Sequence, residues 1–576
     1  MFFVVKNVAN ERVFVLCVGM RAGILLCGAA LFSASPLFAL LPSGLPDEVA
    51  RISEGAPAWA KEPNVFPNMS ETPFSRAFFE SNALGGFAKN KFFPFIDRFG
   101  QFIHSDWGGK IVSEADFAAR AKSEEDFLER NPRFGNLDEY GGVICGVNFG
   151  KSERFSVRKI GGKWFFITPA GNPFFLFGIN SVAQSTGTRI DGREHFFAPD
   201  AAKNPNFVER YKFDRRKSDF YNFERQNISL KYPDKFAYFD TCKKRIYAWG
   251  MNTVGSWSNP EFTARARLPF VALVESAFPP PMESLSGGKV PDYFDPNFES
   301  AQEKLAAAQK RLLDSEFCVG AFVGYKLFWQ YKDGIDIPRA VLTSPAKQPA
   351  KKAFMRLLGR KYGDIQNLNA DWNAQYKSWD EFLQTRSFVP STPAAEGDMR
   401  EFKLAYYAAY FESTQRAFKK AAPKTLYMGC RFQLPPEPDM LSVAAQYCDV
   451  VSFVWYADSA EKLSLPSSAP DKPVLIAEFN FCAPDRGVFG GGFCPRKSTR
   501  AQVAAFENYI ESAFANPAVA GALWMRWSDS PTAGKHNGEN TASGFVDVCD
   551  TPVYPLCAAA RKMGAQISKI PNLYFK

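Results

Sequence analysis

Two residues at the ends of apolar runs pose the chemical question: Glu478 closes "KPVLIAEF" and Lys326 follows "GAFVGY". A carboxylate at such a strand end is suited to act as a nucleophile or base. In glycosidic cleavage it works with a second carboxyl group, about 5 to 5.5 Å away in enzymes that retain configuration. A lysine serves as an acid only when burial lowers its pKa toward 7 or 8, and a carboxylate beside it opposes this by stabilising the ammonium. Asp333 and Asp336, in "QYKDGIDIP" just after Lys326, are carboxyl groups that could serve as the second one; loop capping and solvation is the plainer role for both. Trp257, Trp329, Trp455, Trp524 and Trp527 each fall at or just past an apolar run. Saccharide rings have an apolar face and directional hydroxyls, so aromatic platforms interleaved with carboxylates, amides and guanidinium groups suit them. One tryptophan alone would read as core.

These side chains need a scaffold that brings strand ends together. From about residue 165, strand-like apolar runs alternate with stretches of helical period: "FFLFGINSV", "MNTVGSW", "LPFVALVE", "CVGAFVGYKLFW", "LYMGCRF", "DVVSFVWY", "PVLIAEFN" and "GALWMRWSD". Eight such runs with helices between them predict an α/β fold, a (β/α)8 TIM barrel over 161–570, whose functional groups gather at the carboxyl ends of the strands. The ends are Asn180, Ser256 and Trp257, Lys326 and Trp329, Arg431, Tyr456, Glu478, and Trp524 through Asp529. "SAQEKLAAAQKRLLDSE" and "MREFKLAYYAAYFESTQRAFKKA" carry apolar residues at three and four spacing and predict two of the helices. Residues 40–160, rich in Pro, Gly and Phe, read as an accessory region packed on the barrel.

The first 39 residues differ: Lys6, Arg12 and Arg21 precede "AGILLCGAALFSASPLFAL", which is short for a membrane span and ends in small residues. This predicts a signal peptide cleaved near Ala34 or Ala39, and a secreted or periplasmic protein with no stable span afterwards; an uncleaved anchor is the alternative. A chain of 576 residues, 46% hydrophobic and 15% aromatic, excludes a disordered class. The three histidines and the absence of any CxxC pair predict no metal and no cofactor. The net charge of +9 is spread along the chain without a nucleic-acid motif, so an anionic polysaccharide is the partner it favours, weakly, over nucleic acid. Cys482 and Cys494 flank a glycine-rich loop and are the pair placed to bridge in an oxidising compartment.

Several long motifs then occur in a familiar order: "PFIDRFGQFIHSDWGGK", "GKWFFITPAGNPFFLFGINSV", "YAWGMNTVGSWS", "GCRF", "YCDVVSF", "KPVLIAEF" followed by "DRG", and "WSDSPTAGKHNGENTASGFVDVCD". Over about residues 90–570 the chain resembles the β-agarases of glycoside hydrolase family 50. The resemblance implies cleavage of β-1,4 linkages in agarose, a galactan, releasing short neoagaro-oligosaccharides with no metal in the chemistry. It makes Glu478 the nucleophile and sets Asn180, Trp257, Arg431, Trp524, Asp529, Glu539 and Asn540 at positions that line or support the sugar cleft.

The resemblance breaks at the fourth strand. The family places its acid/base glutamate there after an asparagine, whereas this chain has Gly324, Tyr325 and Lys326. Val454, Phe479, Asn480 and Leu523 also depart from the family pattern around the same rim. Two functions follow as expectations: a galactan hydrolase with a missing or relocated acid, or a barrel that binds a polysaccharide or its fragments without cutting, with Lys326 suited to a sulfate or carboxylate group.

Overall fold

Eight parallel strands close into a ring in the computed structural model: β1 (Leu176–Ile179), β2 (Thr253–Val254), β3 (Phe270–Val274), β4 (Cys318–Val323), β5 in two pieces (Leu426–Tyr427 and Arg431–Phe432), β6 (Val451–Val454), β7 (Val474–Phe479) and β8 (Val519–Trp524). The structure describes residues 93–569 except 214–215, 286–289, 326, 328–335, 388–391, 434–435 and 536–538, together with an antiparallel backbone ladder of Phe2–Asn7 with Arg12–Cys17. Beyond that ladder the expected leader lies outside the described residues, as do Lys326, Trp329 and Asp333. The chain divides into the units Met1–Leu41 and Pro42–Lys576, and the barrel belongs to the second.

Each of the eight apolar runs supplies a strand, and β4, β7 and β8 are buried along their whole length, as strands covered on both faces must be. The strand order runs from the first piece of β5 through β4, β3, β2, β1, β8, β7 and β6 to its second piece, so the ring closes on β5 itself. Leu426 and Tyr427 pair with β4, whereas Arg431 and Phe432 pair with β6. The sequence predicts one continuous run here. It is divided at Gly429, which has φ +63° and whose Cβ, if present, would lie 2.7 Å from the Cys448 sulfur. That turn hands the strand from one neighbour to the other and delivers Arg431 to the carboxyl end of the barrel.

The predicted helices form, with shifted ends. Pro393–Ala421 begins six residues before the "MREF" run, because Thr392 caps Ala395 N–H (3.1 Å) and a proline opens the first turn. The "SAQEKL" run divides into Phe298–Ala308 and Lys310–Leu313. Between β6 and β7, residues 455–473 contain no helix.

Two contacts connect the residues ahead of β1 with the barrel. An antiparallel sheet (Ser156–Ile160, Lys163–Ile167, Pro173–Phe174) leads directly into β1, and buried Lys163 donates to Asn516 O (2.6 Å) and Val519 O (2.8 Å) at the start of β8. The helix Glu114–Arg130 contributes Glu124 to a buried cluster with Lys231, Arg245 and Asp550. Among the described residues no helix is long and apolar enough to cross a membrane, and the nine described cysteines are free thiols.

Candidate active site

Glu478 sits in a break of the β7–β8 ladder. Ile476 pairs with Ala522 and Phe479 with Trp524, so Ala477 and Glu478 together oppose Leu523 alone, a bulge that re-aims the side chain and frees a carbonyl. The freed carbonyl of Ala477 accepts from Asn180 Nδ2 (3.1 Å) and from Arg431 Nη2 (3.0 Å). The Glu478 carboxylate, 5% exposed as a residue, accepts from Arg431 Nη2 on Oε2 (2.8 Å) and from the Tyr456 hydroxyl on Oε1. Three strand ends, β5, β6 and β7, thus converge on one carboxylate.

Arg431 is fully buried, and its guanidinium lies 4.2 Å from the Trp257 ring centre and 5.1 Å from that of Tyr325. Burial pulls its pKa below the ordinary arginine value, with Glu478 acting against that shift. Burial, followed by the charge of Glu478, pushes the Tyr456 phenol well above its usual range, so it is a donor at any working pH. Trp257 adopts φ +57°, a left-handed conformation rare for an aromatic residue, and stands edge-on to Tyr325 at 5.0 Å.

Among the described residues, several buried polar atoms here have no hydrogen-bond partner: Arg431 Nε and Nη1, Asn180 Oδ1 and Ser256 Oγ. Buried donors and acceptors are ordinarily satisfied, because an orphan costs about 1–3 kcal/mol. Concentrated beside a carboxylate at strand ends, these orphans suit a hydroxyl-rich ligand that fills them.

The other expected site residues divide by burial. Asn540 is buried, donates from Nδ2 to Thr532 O (2.8 Å), and its Oδ1 has no partner among the described residues. Glu539 is half-buried and paired with Lys535 (2.8 Å), with Arg526 at 3.9 Å. Asp529, raised by burial, is held by Arg486 (3.2 Å) of the "DRG" motif and by Gly544 N–H (2.6 Å), a staple for the loop after β8. Trp524 and Trp527 correct the platform expectation: both are 0% exposed, Trp524 packed edge-on to Phe479, Phe506 and Phe545 and Trp527 against Trp249. Neither has a face left for a ligand, and Trp524 supports the loop from beneath through Nε1 to Ser543 O (2.7 Å). Trp455 is half-buried and bonded to Ser459 O (3.1 Å). Asp336 is exposed and caps the helix Ile337–Leu342 by accepting from Arg339 N–H (3.0 Å). The strand-end position of Tyr456 is visible in the sequence, but its contact with Glu478 is not. Phe493, in ring contact with Tyr456, carries no sequence signal beyond the glycines before it.

The chain is similar to known agarases. It is 28% identical over 522 residues to β-agarase B of Vibrio sp. (strain JT0107), covering 82% of this chain and 54% of that one. It is 29% identical over 526 residues to β-agarase A of the same strain, covering 83% and 53%. The chain therefore spans about half the length of these curated relatives. The crystal structure of an agarase, AgWH50C, superposes with a TM-score of 0.77 at 28% identity, over 84% of this chain and 74% of that one. A family model described as β-galactosidase, glycoside hydrolase family 42, matches residues 339–477. The chain resembles the family 50 agarases in sequence and in its barrel fold.

Proposed function

We propose that the protein is a secreted glycoside hydrolase acting on a galactan, with Glu478 as the nucleophile of a retaining reaction. The observation that carries this is the Glu478 carboxylate held by Arg431 and Tyr456 in a bulge of β7, beside buried donors and acceptors that have no partner among the described residues. The likeness to agarases supports the substrate class, and the basic-then-apolar leader supports secretion.

In this reading a Glu478 oxygen attacks the anomeric carbon while the glycosidic bond breaks, leaving a glycosyl ester and an oxygen leaving group that takes a proton; water then reverses the sequence. Arg431 and Tyr456 orient the carboxylate and receive it again as the leaving group of the second step. Asn180, Ser256, Trp257 and Asn540 bind the sugar; Trp329 adds a platform, Trp524 and Asp529 support the loop after β8, and Glu539 borders the cleft. The proton donor is the open position: Gly324, Tyr325 and Lys326 follow β4 where a carboxyl group is needed, and we assign its replacement to Asp333 or Asp336 on the next loop. Residues 40–160 act as an accessory wrap. No nucleic acid, metal or cofactor enters.

The lysine after β4 favours a second function, a barrel that holds a galactan oligosaccharide, anionic where it meets Lys326, without cutting it. Hydrolysis of agarose and of sulfated galactan oligosaccharides by the wild type, Glu478→Gln and Lys326→Glu, with calorimetric binding in parallel, separates the two. Turnover that falls at least a thousandfold in Glu478→Gln supports the enzyme. Binding without turnover, with cleavage gained only in Lys326→Glu, supports the binding barrel.

A further inference from the structure

We infer that Phe493 is a carbohydrate-stacking platform beside Glu478, taking the C–H face of a galactan pyranose; this rests on the function proposed above. Phe493 is 48% exposed, although a phenylalanine gains by burial. Its ring lies 4.8 Å from that of Tyr456, whose hydroxyl donates to Glu478, so the Phe493 ring stands one tyrosine ring away from the candidate nucleophile.

The loop that carries it is fixed in place. Its two ends are joined by Cys482 N–H to Cys494 O (3.1 Å) and by Arg496 N–H to Cys482 O (2.7 Å). Its middle is held by the Arg486–Asp529 pair and by the Thr532 hydroxyl donating to Gly487 O (2.9 Å). At Gly490 the chain passes so close to the loop after β8 that a Cβ would fall 1.4 Å from Asn540 O, so any other residue there would displace one of the two loops. An apolar ring held half-exposed on an anchored loop loses little conformational entropy on meeting a ligand, which suits a stacking surface.

Stacking predicts dependence on a planar ring and not on apolarity alone. Binding of agarose-derived oligosaccharides is measured by calorimetry in a Glu478→Gln background, so that nothing is consumed, with Phe493, Phe493→Ala, Phe493→Leu and Phe493→Trp compared. The assignment expects Kd to rise about tenfold in Phe493→Ala and in Phe493→Leu, and to return to within about threefold in Phe493→Trp. In the catalytically intact protein the same loss should appear in KM. Equal Kd for all four, with ligand bound, overturns the platform and leaves the hydrolase standing. An intact protein that neither binds nor cleaves any of these oligosaccharides overturns both.

Discussion

Two buried charge clusters in this molecule are built to opposite standards. In the first, Glu124, Lys231, Arg245 and Asp550 satisfy one another completely: Arg245 gives Nε to Glu124 (2.6 Å) and Nη1 to Asp550 (2.6 Å), and Lys231 reaches both carboxylates at 2.9 and 3.0 Å. No side-chain atom of these four residues is left unpaired. In the second, Arg431 is equally buried, yet it meets one carboxylate and one carbonyl with Nη2, and Nε and Nη1 have no hydrogen-bond partner among the described residues. The first cluster ties the helix Glu114–Arg130 to the barrel. The second has donors to spare among the described residues. A fully satisfied buried network rigidifies a structure, whereas an unsatisfied buried group calls for an explanation.

Arg245→Met should give the largest effect. Removing one partner from a buried network leaves uncompensated charge and costs about 3–5 kcal/mol, read as a loss in urea denaturation. Activity per folded molecule should persist. A loss below about 1 kcal/mol would break the contrast by making the saturated cluster dispensable.

Arg431→Lys should do the reverse, lowering kcat/KM about a hundredfold with a smaller loss of stability. A lysine cannot reproduce the planar donor set or the stacking on Trp257. Destabilisation as large as that of Arg245→Met would make Arg431 a second structural staple. Tyr456→Phe comes next: a hydrogen bond to a charged group contributes about 1.5–3 kcal/mol, so kcat should fall about ten- to a hundredfold. Steady-state kinetics on an agarose oligosaccharide tests both variants.

The smallest effect concerns pH. Glu124 and Asp550 are held below their ordinary values, because Arg245 and Lys231 outweigh the burial that raises them. The stability they provide is present above the ordinary carboxylate range and lost as pH falls through their depressed values. Glu224, beside Arg526, has the opposite sign: burial pushes its carboxyl from 4.5 up to about 8, against the pull of Arg526. Its contribution is full below pH 4.5 and lost as pH rises through 8. Glu224→Gln should flatten the pH dependence of Tm in that window, by a few degrees at most. An unchanged slope would show that Glu224 is not protonated in the native state.

The fold was legible because its signal is local and repeated. Eight apolar runs with helical stretches between them are a consequence of strands buried on both faces, and each run became a strand. The break of β5 was not legible: Gly429 lies inside a run apolar enough to continue, and only the competing ladders of β4 and β6 reveal the turn. Glu478 could be singled out by its strand end. The tryptophans could not be sorted, because the same residue type at the same kind of position became a half-buried stack over Arg431 at Trp257 and solid core at Trp524 and Trp527.

The sequence by itself determined the barrel, the carboxylate at the end of β7 and the lysine after β4, since these depend on residue identity and on periods that run along the chain. Only the tertiary structure decided that Arg431 and Tyr456 share Glu478, that a bulge frees the Ala477 carbonyl for Asn180 and Arg431, and that Phe493 stays exposed beside them. Those relations join β1, β5, β6, β7 and the loop that follows β7, and hydrogen bonds between residues so far apart along the chain are set by how the ring closes, which no local pattern encodes.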